Sequence, residues 1–337
     1  MNDLSKYTSL RVGGPAKKIL HVSTEAEIIA AIEESEGSPV LIMGGGTNVL
    51  IADTGFDGTV IHISNDSIQA EMDACSGATL TIGAGQNWDQ FVQITIDRGL
   101  AGLETLSGIP GSVGAAPIQN IGAYGHEVSE FITRVRTYDR EEKEVKTFTN
   151  SQCEFSYRSS HFKEHPGRYV ILDIAFQLRQ GEMSDPITYI ELSKKLGIEP
   201  GEKASVMEVR SAVLELRASK GMLISEDPDS WSAGSFFTNP IISQQDADSL
   251  PNATPKWPLN DGRVKISAAW LIENSGMHKG YAIGGARIST KHVLALTNSG
   301  TATASDIAAL AKKARDQVKE KFGITLIAEV NLIGVEI

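Results

Sequence analysis

Apolar and polar residues recur along the chain with two periods, and the period separates predicted helices from predicted strands. Apolar residues at every third or fourth position predict helices over residues 24–37, 87–99, 203–221, 266–276 and 305–323. Short apolar runs predict strands over residues 39–46, 59–63, 78–85, 131–139, 168–179, 293–298 and 325–334. Thr24, followed three residues later by Glu27, has the pattern of a capping box. The mixture predicts an α+β chain, with a domain change near residues 205–225.

Composition narrows the class of protein. The 337 residues, 41% of them hydrophobic, are enough for two or three packed domains. A formal net charge of -11 weighs against nonspecific binding to nucleic acid. The first residues lack the apolar core of a signal peptide, and no apolar run approaches the ~18 residues of a membrane helix. Cys75 and Cys153 are too few for a disulfide framework, so we expect both to be reduced and buried in a cytoplasmic protein.

The segment from Gly108 to Gly125 is rich in glycine and carries no charged side chain. Two further glycine turns, "GGGTN" from Gly44 and "GAGQNW" from Gly83, each follow a predicted strand. Together they would supply many backbone N–H groups with little obstruction, which suits a diphosphate. The turns lack the spacing of a Rossmann fingerprint or a P-loop. The residues alone therefore predict a dinucleotide site of non-Rossmann type, with ordinary tight turns and a long structural loop as the alternatives.

A possible metal motif is weak. "HFKEH", His161 to His165, matches the H-x-x-E-H zinc pattern, which needs both histidines on one helix. Pro166 and Gly167 follow at once and would stop that helix. We therefore expect a solvated loop and no metal site here.

Seven segments, taken in order, resemble a known family. They are "YTSLRVGGPA", "LIMGGGTNVLIAD", "GLAGLETLSGIPGSVGAAPIQNIGAYG", "CEFSYRSSHF", "AGSFFTNP", "KISAAWLIENSGMHKG" and "TLIAEVNLIG". The combination resembles the UDP-N-acetylenolpyruvoylglucosamine reductases, also called UDP-N-acetylmuramate dehydrogenases, from about Tyr7 to Gly334. The resemblance implies a FAD-binding fold of the vanillyl-alcohol-oxidase (PCMH) type in two subdomains, plus an α+β substrate-binding domain. We expect residues 1–66, joined by the returning strand 323–337, to form the first subdomain, 67–205 the second, and 206–322 the substrate-binding domain.

The same resemblance implies a reaction and a cofactor site. The family reduces UDP-N-acetylglucosamine enolpyruvate to UDP-N-acetylmuramate in peptidoglycan synthesis, with FAD as the carrier and NADPH as the hydride donor. The residues assigned to FAD are Gly44, Gly45, Gly46, Thr47, Asn48, Gly108, Ile109, Pro110, Gly111, Gly114, Ala115, Pro117, Gln119, Asn120, Gly122, Ala123, Tyr124 and Gly125. A monomer acting on a small-molecule substrate is the expectation for the family.

Three residues match the family's catalytic positions: Arg158 in "YRSS", Ser235 in "GSFF" and Glu329 in "AEVNLIG". A hydride added to the enol ether places charge on the substrate carboxylate, which Arg158 and a protonated Glu329 would stabilise. We therefore expect a raised pKa for the Glu329 carboxyl, and Ser235 as the proton donor. The residues assigned to the substrate are Tyr157, Tyr189, Lys220, Asn239 and Lys279, of which Tyr189 indicates the tyrosine-loop type. The acidic stretch 221–233 is longer than expected, and its contribution to the substrate stays open.

Two other functions remain as alternatives. A sugar or aldonolactone oxidase of the same fold often tethers its flavin through a histidine in the first glycine loop. "GGGTN" has neither histidine nor cysteine, so we expect noncovalent FAD; His126 is the nearest other tether. A noncatalytic flavin- or nucleotide-binding protein would not need Arg158, Ser235 and Glu329 together.

Overall fold

The computed structural model describes residues 2–73 and 77–337, so the prediction for Cys75 lies outside the described residues. The chain folds into two units, and each of them packs around a hydrophobic core of its own. The N-terminal unit comprises Ala16–Gly45 and Asp57–Ser219, and the C-terminal unit comprises Met1–Pro15, Gly46–Phe56 and Lys220–Ile337. The boundary at Ser219 falls within the interval where the sequence pattern changes. The partition into three domains stays a prediction beside this division.

The helices and strands are numbered in chain order. The helices are α1 (Glu25–Glu34), α2 (Trp88–Asp97), α3 (Ala116–Gln119), α4 (His161–Glu164), α5 (Ile190–Leu196), α6 (Val206–Ser219), α7 (Gln244–Ser249), α8 (Ala268–Asn274) and α9 (Ala304–Phe322). The strands are β1 (Ala16–Val22), β2 (Val40–Met43), β3 (Val49–Ile51), β4 (Phe56–Ile63), β5 (Ile68–Asp73), β6 (Gly77–Gly83), β7 (Leu100–Ala101), β8 (Gly122–Ala123), β9 (His126–Glu127), β10 (Ile132–Asp139), β11 (Glu144–Thr149), β12 (Tyr169–Gln180), β13 (Ser232–Ser235), β14 (Ile241–Ile242), β15 (Lys256–Pro258), β16 (Val264–Ile266), β17 (Ala282–Ile283), β18 (Ala286–Ile288), β19 (Ala295–Asn298) and β20 (Asn331–Ile333).

The five predicted helices are confirmed as α1, α2, α6, α8 and α9. The capping box is also confirmed, since the Thr24 hydroxyl accepts the Glu27 N–H and the Glu27 carboxylate accepts the Thr24 N–H. The prediction of one strand over 325–334 is wrong in extent, because only Asn331–Ile333 forms a strand. Before it, Ala328 forms one isolated antiparallel bridge with Phe237, in which the Thr238 N–H donates to the Ile327 carbonyl and the Glu329 N–H donates to the Phe236 carbonyl.

The N-terminal unit is built on two sheets. In the smaller sheet the strand order is β1-β4-β2, and β2 pairs with β4 in parallel. In the larger sheet the order is β11-β10-β12-β6-β5, with β7 paired to β12, and the pairs are antiparallel. Helix α2 packs on this sheet through a buried aromatic cluster of Trp88, Phe91 and Phe176, whose ring centroids lie 5.0–6.2 Å apart. The Trp88 indole N–H donates to the Leu106 carbonyl at 3.0 Å, which ties α2 to the chain just before the glycine-rich segment.

The C-terminal unit has a sheet of order β13-β19-β18-β17, a second of order β14-β16-β15, and a parallel pair of β20 with β3. The last pairing places Asn331 beside Val49 in the register. The core includes Phe236 and Phe237, each 1% exposed, together with the apolar faces of α8 and α9. At the start of α9, Asp53 accepts hydrogen bonds from the Ala304 and Ser305 N–H groups, and this fixes the helix relative to the chain after β3.

None of the helices in the described part of the chain is both long and apolar enough to cross a membrane. Residues 2–73 and 77–337 also contain no group of three or more His, Cys, Asp or Glu side chains placed to hold a metal ion.

The prediction of a loop over His161 to His165 is wrong, because His161–Glu164 forms α4. The Ser160 hydroxyl caps this short helix, and burial of Phe162 stabilises it.

Candidate active site

The segment from Gly108 to Gly125 is folded into short elements of the N-terminal unit. A 3₁₀ turn over Val113–Ala115 leads into α3, and β8 and β9 follow as a hairpin around Tyr124 and Gly125. Asn120 ends α3 in the left-handed conformation at φ 42°. Its buried side chain donates to the Glu127 carboxylate at 2.7 Å and to the Ser156 carbonyl at 3.0 Å. Such strain at a non-glycine residue is typical of functional segments.

The glycine loops of the N-terminal unit lie so close together that side chains would not fit between them. This closeness bears on whether the loops suit FAD. A Cβ on Gly44 would clash with the Ser112 hydroxyl, and one on Gly45 would lie 2.9 Å from the Gly111 Cα. A Cβ on Gly114 would lie 2.6 Å from that of Ala84. Side chains at these glycines would therefore push the predicted loops apart. The bare backbone fits a cofactor whose diphosphate takes N–H donors at close range.

Charged side chains from two helices hold Gly108, the first residue of the segment. Its N–H donates to the Asp89 carboxylate of α2 at 2.6 Å, and its carbonyl accepts from Nε of Arg217 of α6 at 3.0 Å. Arg210 of α6 donates twice to the same Asp89 carboxylate, at 2.6 and 2.9 Å. None of these three residues was predicted from the sequence to belong to the site. The available signal was the spacing of Arg210 and Arg217, which places two arginines two turns apart on one side of α6.

Arg158 lies against the glycine-rich segment. Its guanidinium donates to the Asn120 carbonyl at 3.3 Å and to the Gly122 carbonyl at 2.8 Å, and it lies over the Tyr157 ring at 5.3 Å. Its backbone has φ 55°, and Asn120 and Tyr124 are likewise left-handed non-glycine residues at the predicted site. Lys163 joins Arg158 to the same segment, since its ammonium donates to the Arg158 carbonyl at 2.7 Å and to Gln119 at 3.0 Å. The structure thus brings Arg158 and Tyr157 together with residues predicted to bind FAD.

Tyr189 precedes α5 and meets the same segment. Its ring packs edge-on against Tyr124, with centroids 5.5 Å apart at 84°. Burial raises the pKa of the Tyr124 hydroxyl to about 12 and also raises the pKa of Tyr189, so both rings stay neutral at physiological pH. A residue predicted to cover the substrate therefore contacts one predicted to bind FAD.

Ser235 and Glu329 lie on neighbouring segments of the C-terminal unit. The Glu329 N–H donates to the Phe236 carbonyl at 2.9 Å, one residue beyond Ser235, and Phe237 forms a bridge with Ala328. Asn48 holds the second segment, because its side-chain amide donates to the Glu329 carbonyl at 3.3 Å. Gly46, Thr47 and Asn48 belong to this unit, whereas Gly44 and Gly45 belong to the N-terminal unit. The predicted first glycine loop is therefore divided between the units.

The remaining substrate candidates also belong to the C-terminal unit. The Asn239 side-chain oxygen accepts the Ala268 N–H at 2.9 Å, so this asparagine stabilises the start of α8. Lys279 is exposed, and Lys220 is half-buried. These contacts leave the predicted roles of the three residues toward a substrate as predictions.

The acidic stretch 221–233 has contacts that explain two of its carboxylates. Asp229 is 5% exposed and accepts hydrogen bonds from the Ser289 hydroxyl at 3.0 Å and from the Thr290 N–H and hydroxyl at 3.1 and 2.8 Å. Asp227 forms an ion pair with Lys291 at 2.9 Å. These two acids attach the stretch to residues 289–291 of the same unit.

Two parts of the chain match families of known proteins. Residues 16–147 match a FAD-binding domain, and residues 227–333 match the C-terminal domain of UDP-N-acetylenolpyruvoylglucosamine reductase. The reductase of Cutibacterium acnes is 49% identical over 99% of this chain and 90% of its own, and that of Streptomyces coelicolor is 48% identical over 98% and 89%. A crystal structure of the reductase from Thermus caldophilus has the same fold, with TM-score 0.68 over 98% of this chain and 97% of its own at 24% identity.

These matches confirm three predictions made from the sequence. The fold class is confirmed as an α+β chain with a FAD-binding fold and a separate C-terminal domain. FAD is confirmed as the cofactor by the match over residues 16–147. Because relatives with more than 45% identity cover almost the whole chain, the chain belongs to the UDP-N-acetylenolpyruvoylglucosamine reductase family.

Proposed function

We propose that this protein reduces UDP-N-acetylglucosamine enolpyruvate to UDP-N-acetylmuramate for peptidoglycan synthesis, with NADPH as the hydride donor and noncovalent FAD as the carrier. The observation that carries this proposal is the placement of Ser235 and Glu329 on segments joined by the Phe236–Glu329 hydrogen bond. A proton donor and an acid on adjacent segments suit a reaction in which a carbanion forms beside a carboxylate. Near full-length identity to named reductases supports the same reaction.

The chemistry of the substrate assigns a task to each residue. When bound and reduced by NADPH, FAD would supply the hydride for the terminal vinyl carbon, and negative charge would then develop on the substrate carboxylate. Arg158 would stabilise this charge with its planar guanidinium, which the Asn120 and Gly122 carbonyls hold in place. Glu329, if protonated as we predict, would donate a hydrogen bond to the same charge. Ser235 would deliver the proton to the adjacent carbon.

The cofactor and substrate would be held mainly by backbone and by a few polar side chains. We propose that Gly44 to Asn48 and Gly108 to Gly125 bind FAD, and that Tyr157, Tyr189, Lys220, Asn239 and Lys279 bind the UDP-sugar. The close approach of Gly45 to Gly111 supports the first assignment. We further propose a cytoplasmic monomer that does not bind nucleic acid, in keeping with the net charge of -11.

An anaerobic visible spectrum of the purified protein tests this function. Flavin bands should bleach on addition of NADPH and return on addition of the enolpyruvyl substrate. Bands that bleach but return only with oxygen would support a sugar or aldonolactone oxidase instead. A protein that binds no flavin, even from added FAD, would overturn the proposal.

A serine variant tests the proton donor. Ser235→Ala should leave bleaching by NADPH nearly intact and slow the return of the bands with substrate by about 10²–10⁴-fold. Ser232→Ala, which changes a serine three residues earlier on β13, is the matched control and should keep a rate near that of the wild type. A near-normal rate in Ser235→Ala would remove Ser235 from the acid role.

A further inference from the structure

The glycine-rich segment begins at a residue whose two backbone polar groups are both bonded to charged side chains. Gly108 is buried at φ 71°, a conformation that favours glycine. Its N–H donates to Asp89 and its carbonyl accepts from Arg217. Fixing both groups fixes the two peptide planes that flank Gly108. The direction in which the segment leaves this point is therefore set by side chains of α2 and α6.

The carboxylate of Asp89 is itself held in one orientation. Two N–H groups of Arg210 bind its two oxygens at 2.6 and 2.9 Å, a paired geometry that fixes the plane of the carboxylate. The Arg210 side chain is 13% exposed and that of Asp89 is 34% exposed, so the pair is only partly screened by water. Burial raises the pKa of Asp89, but the hydrogen bonds of Arg210 and the Gly108 N–H outweigh it, and the pKa lies below its usual value.

The same two helices are anchored independently of Gly108. Asp89 follows Trp88, whose buried ring packs on Phe176 of β12. Arg210 follows Val209, which is 0% exposed in a small core with Leu192 and Val213. Because both helices are packed independently, the Asp89–Arg210 pair fixes the Gly108 N–H relative to α2 and α6. Gly108 itself has no side chain that could do this.

We propose that Asp89 and Arg210 are positioning residues for FAD, which act by holding Gly108 and hence the glycine-rich segment in the conformation that receives the cofactor. The inference rests on the proposed function, because it assumes that this segment binds FAD. It goes beyond that function, since neither residue belongs to the segment or to the reacting groups. Holding a loop in its bound conformation strengthens binding, because the cost of ordering the loop no longer opposes the binding of the ligand.

Four variants and one control test the inference. Asp89→Ala removes the acceptor of the Gly108 N–H, and Asp89→Asn keeps an oxygen there but loses the charge. Arg210→Lys keeps a charge but loses the paired geometry, and the double variant Asp89→Ala/Arg210→Ala removes the pair. The control is Asp139→Ala, because Asp139 of β10 is a buried aspartate that accepts three hydrogen bonds from Arg168, in the same unit and outside the segment.

Two measurements separate positioning from general stability. The first is the dissociation constant of FAD from the purified protein, measured well below the unfolding temperature. The second is hydrogen–deuterium exchange of peptides covering residues 108–125 without FAD, which reports order in the segment itself. We expect Asp89→Ala to weaken FAD binding about 10-fold or more and to speed exchange in this segment by a similar factor. Asp89→Asn and Arg210→Lys should have smaller effects, and the double variant should be no worse than Asp89→Ala.

The outcomes distinguish this inference from the proposed function. Weakened FAD binding and faster exchange in the Asp89 variants, with neither in Asp139→Ala, would support it. Wild-type protein that binds FAD, with Asp89 and Arg210 variants that bind it equally well, would overturn the inference alone. Wild-type protein that takes up no FAD would overturn the proposed function and this inference with it.

Discussion

Two loops of this protein are stabilised in opposite ways. The glycine-rich segment from Gly108 to Gly125 carries no charge, and its first residue is held by Asp89 and Arg217 from helices outside it. The acidic stretch 221–233 supplies its own anchors, because its Asp229 accepts three hydrogen bonds from Ser289 and Thr290. Buried backbone groups must find partners in both cases. A loop without charged side chains must take charged partners from elsewhere in the chain.

The difference also explains what each loop can do. A segment of bare backbone can approach a ligand closely, but it depends on distant side chains for its shape. A loop that carries its own carboxylates is held through those side chains, but the carboxylates occupy the space and carry charge. The first design suits a diphosphate, which negative side chains would repel. We therefore expect changes in the acidic stretch to affect stability, and changes around the glycine-rich segment to affect FAD binding as well.

The largest expected effect is the loss of stability in Asp229→Ala. The substitution leaves the Ser289 hydroxyl and both donors of Thr290 without their carboxylate acceptor in a buried place. Unpaired buried donors and lost bonds to a charged group predict a loss of about 3 kcal/mol in the free energy of unfolding. Urea unfolding of the purified variant measures it.

A neighbouring acid provides the control for that substitution. Asp227→Ala removes an ion pair with Lys291 whose side chains are 49% and 38% exposed, together with one cap hydrogen bond from the Asp229 N–H, so its stability loss should be smaller than that of Asp229→Ala. The FAD dissociation constant of Asp229→Ala should stay near that of the wild type if the two loops act separately. An unfolding free energy equal to that of the wild type would mean that Asp229 does not anchor the stretch.

A glycine substitution gives the next effect. In Gly114→Ala the new Cβ would meet the Ala84 Cβ at 2.6 Å and the Ala84 carbonyl oxygen at 2.9 Å. Moving the segment away from Ala84 should cost about 2 kcal/mol in unfolding free energy and weaken FAD binding as well. Gly234→Ala is the comparison for stability, since its Cβ would meet nothing within 4 Å and only the φ of 72° opposes it. If both variants lost the same stability and Gly114→Ala bound FAD normally, close packing at Gly114 would not matter.

Elements with a strong local pattern were predictable from the sequence. The capping box of Thr24 and the apolar stripe of α9 depend on residues within one helix, and both are confirmed. Helix α3 and the β8–β9 hairpin lie within the glycine-rich segment and were missed, because short elements with many glycines have no clear period. The contact of Arg210 with Asp89 joins residues 121 positions apart. Such contacts depend on tertiary packing, and no local signal in the sequence reports the distance between the two helices.

The pH dependence of the free energy of unfolding tests whether the charge of Asp89 stabilises the protein. Its pKa lies below the usual 3.8, because the hydrogen bonds of Arg210 and Gly108 outweigh the opposing effect of burial. The unfolded chain therefore binds a proton more readily than the folded protein, and stability from Asp89 is present above that value and lost as pH falls. Asp89→Asn should be less stable than the wild type at pH 7, and the difference should shrink as the pH falls below about 4. A difference that is constant with pH would show that the charge of Asp89 does not contribute.

The smallest expected effect is a gain in the free energy of unfolding, and it concerns Glu104, four residues before Gly108. Its carboxylate is 2% exposed and accepts the Gly102 N–H at 2.6 Å, so here the chain does supply a local anchor. Burial raises the pKa of Glu104 above its usual 4.5, and the folded protein then binds a proton more readily than the unfolded chain. Stability from this group is therefore fully present at low pH and lost as pH rises through the folded value.

Glu104→Gln keeps an oxygen for the Gly102 N–H without the buried charge, so it should be slightly more stable than the wild type at pH 7. This gain should vanish below about pH 4, as followed by thermal unfolding between about pH 3 and 8. If Glu104→Gln were less stable than the wild type at pH 7, the ionised carboxylate of Glu104 would stabilise the chain before the glycine-rich segment. It would then act as the carboxylate of Asp89 acts on Gly108, the first residue of that segment.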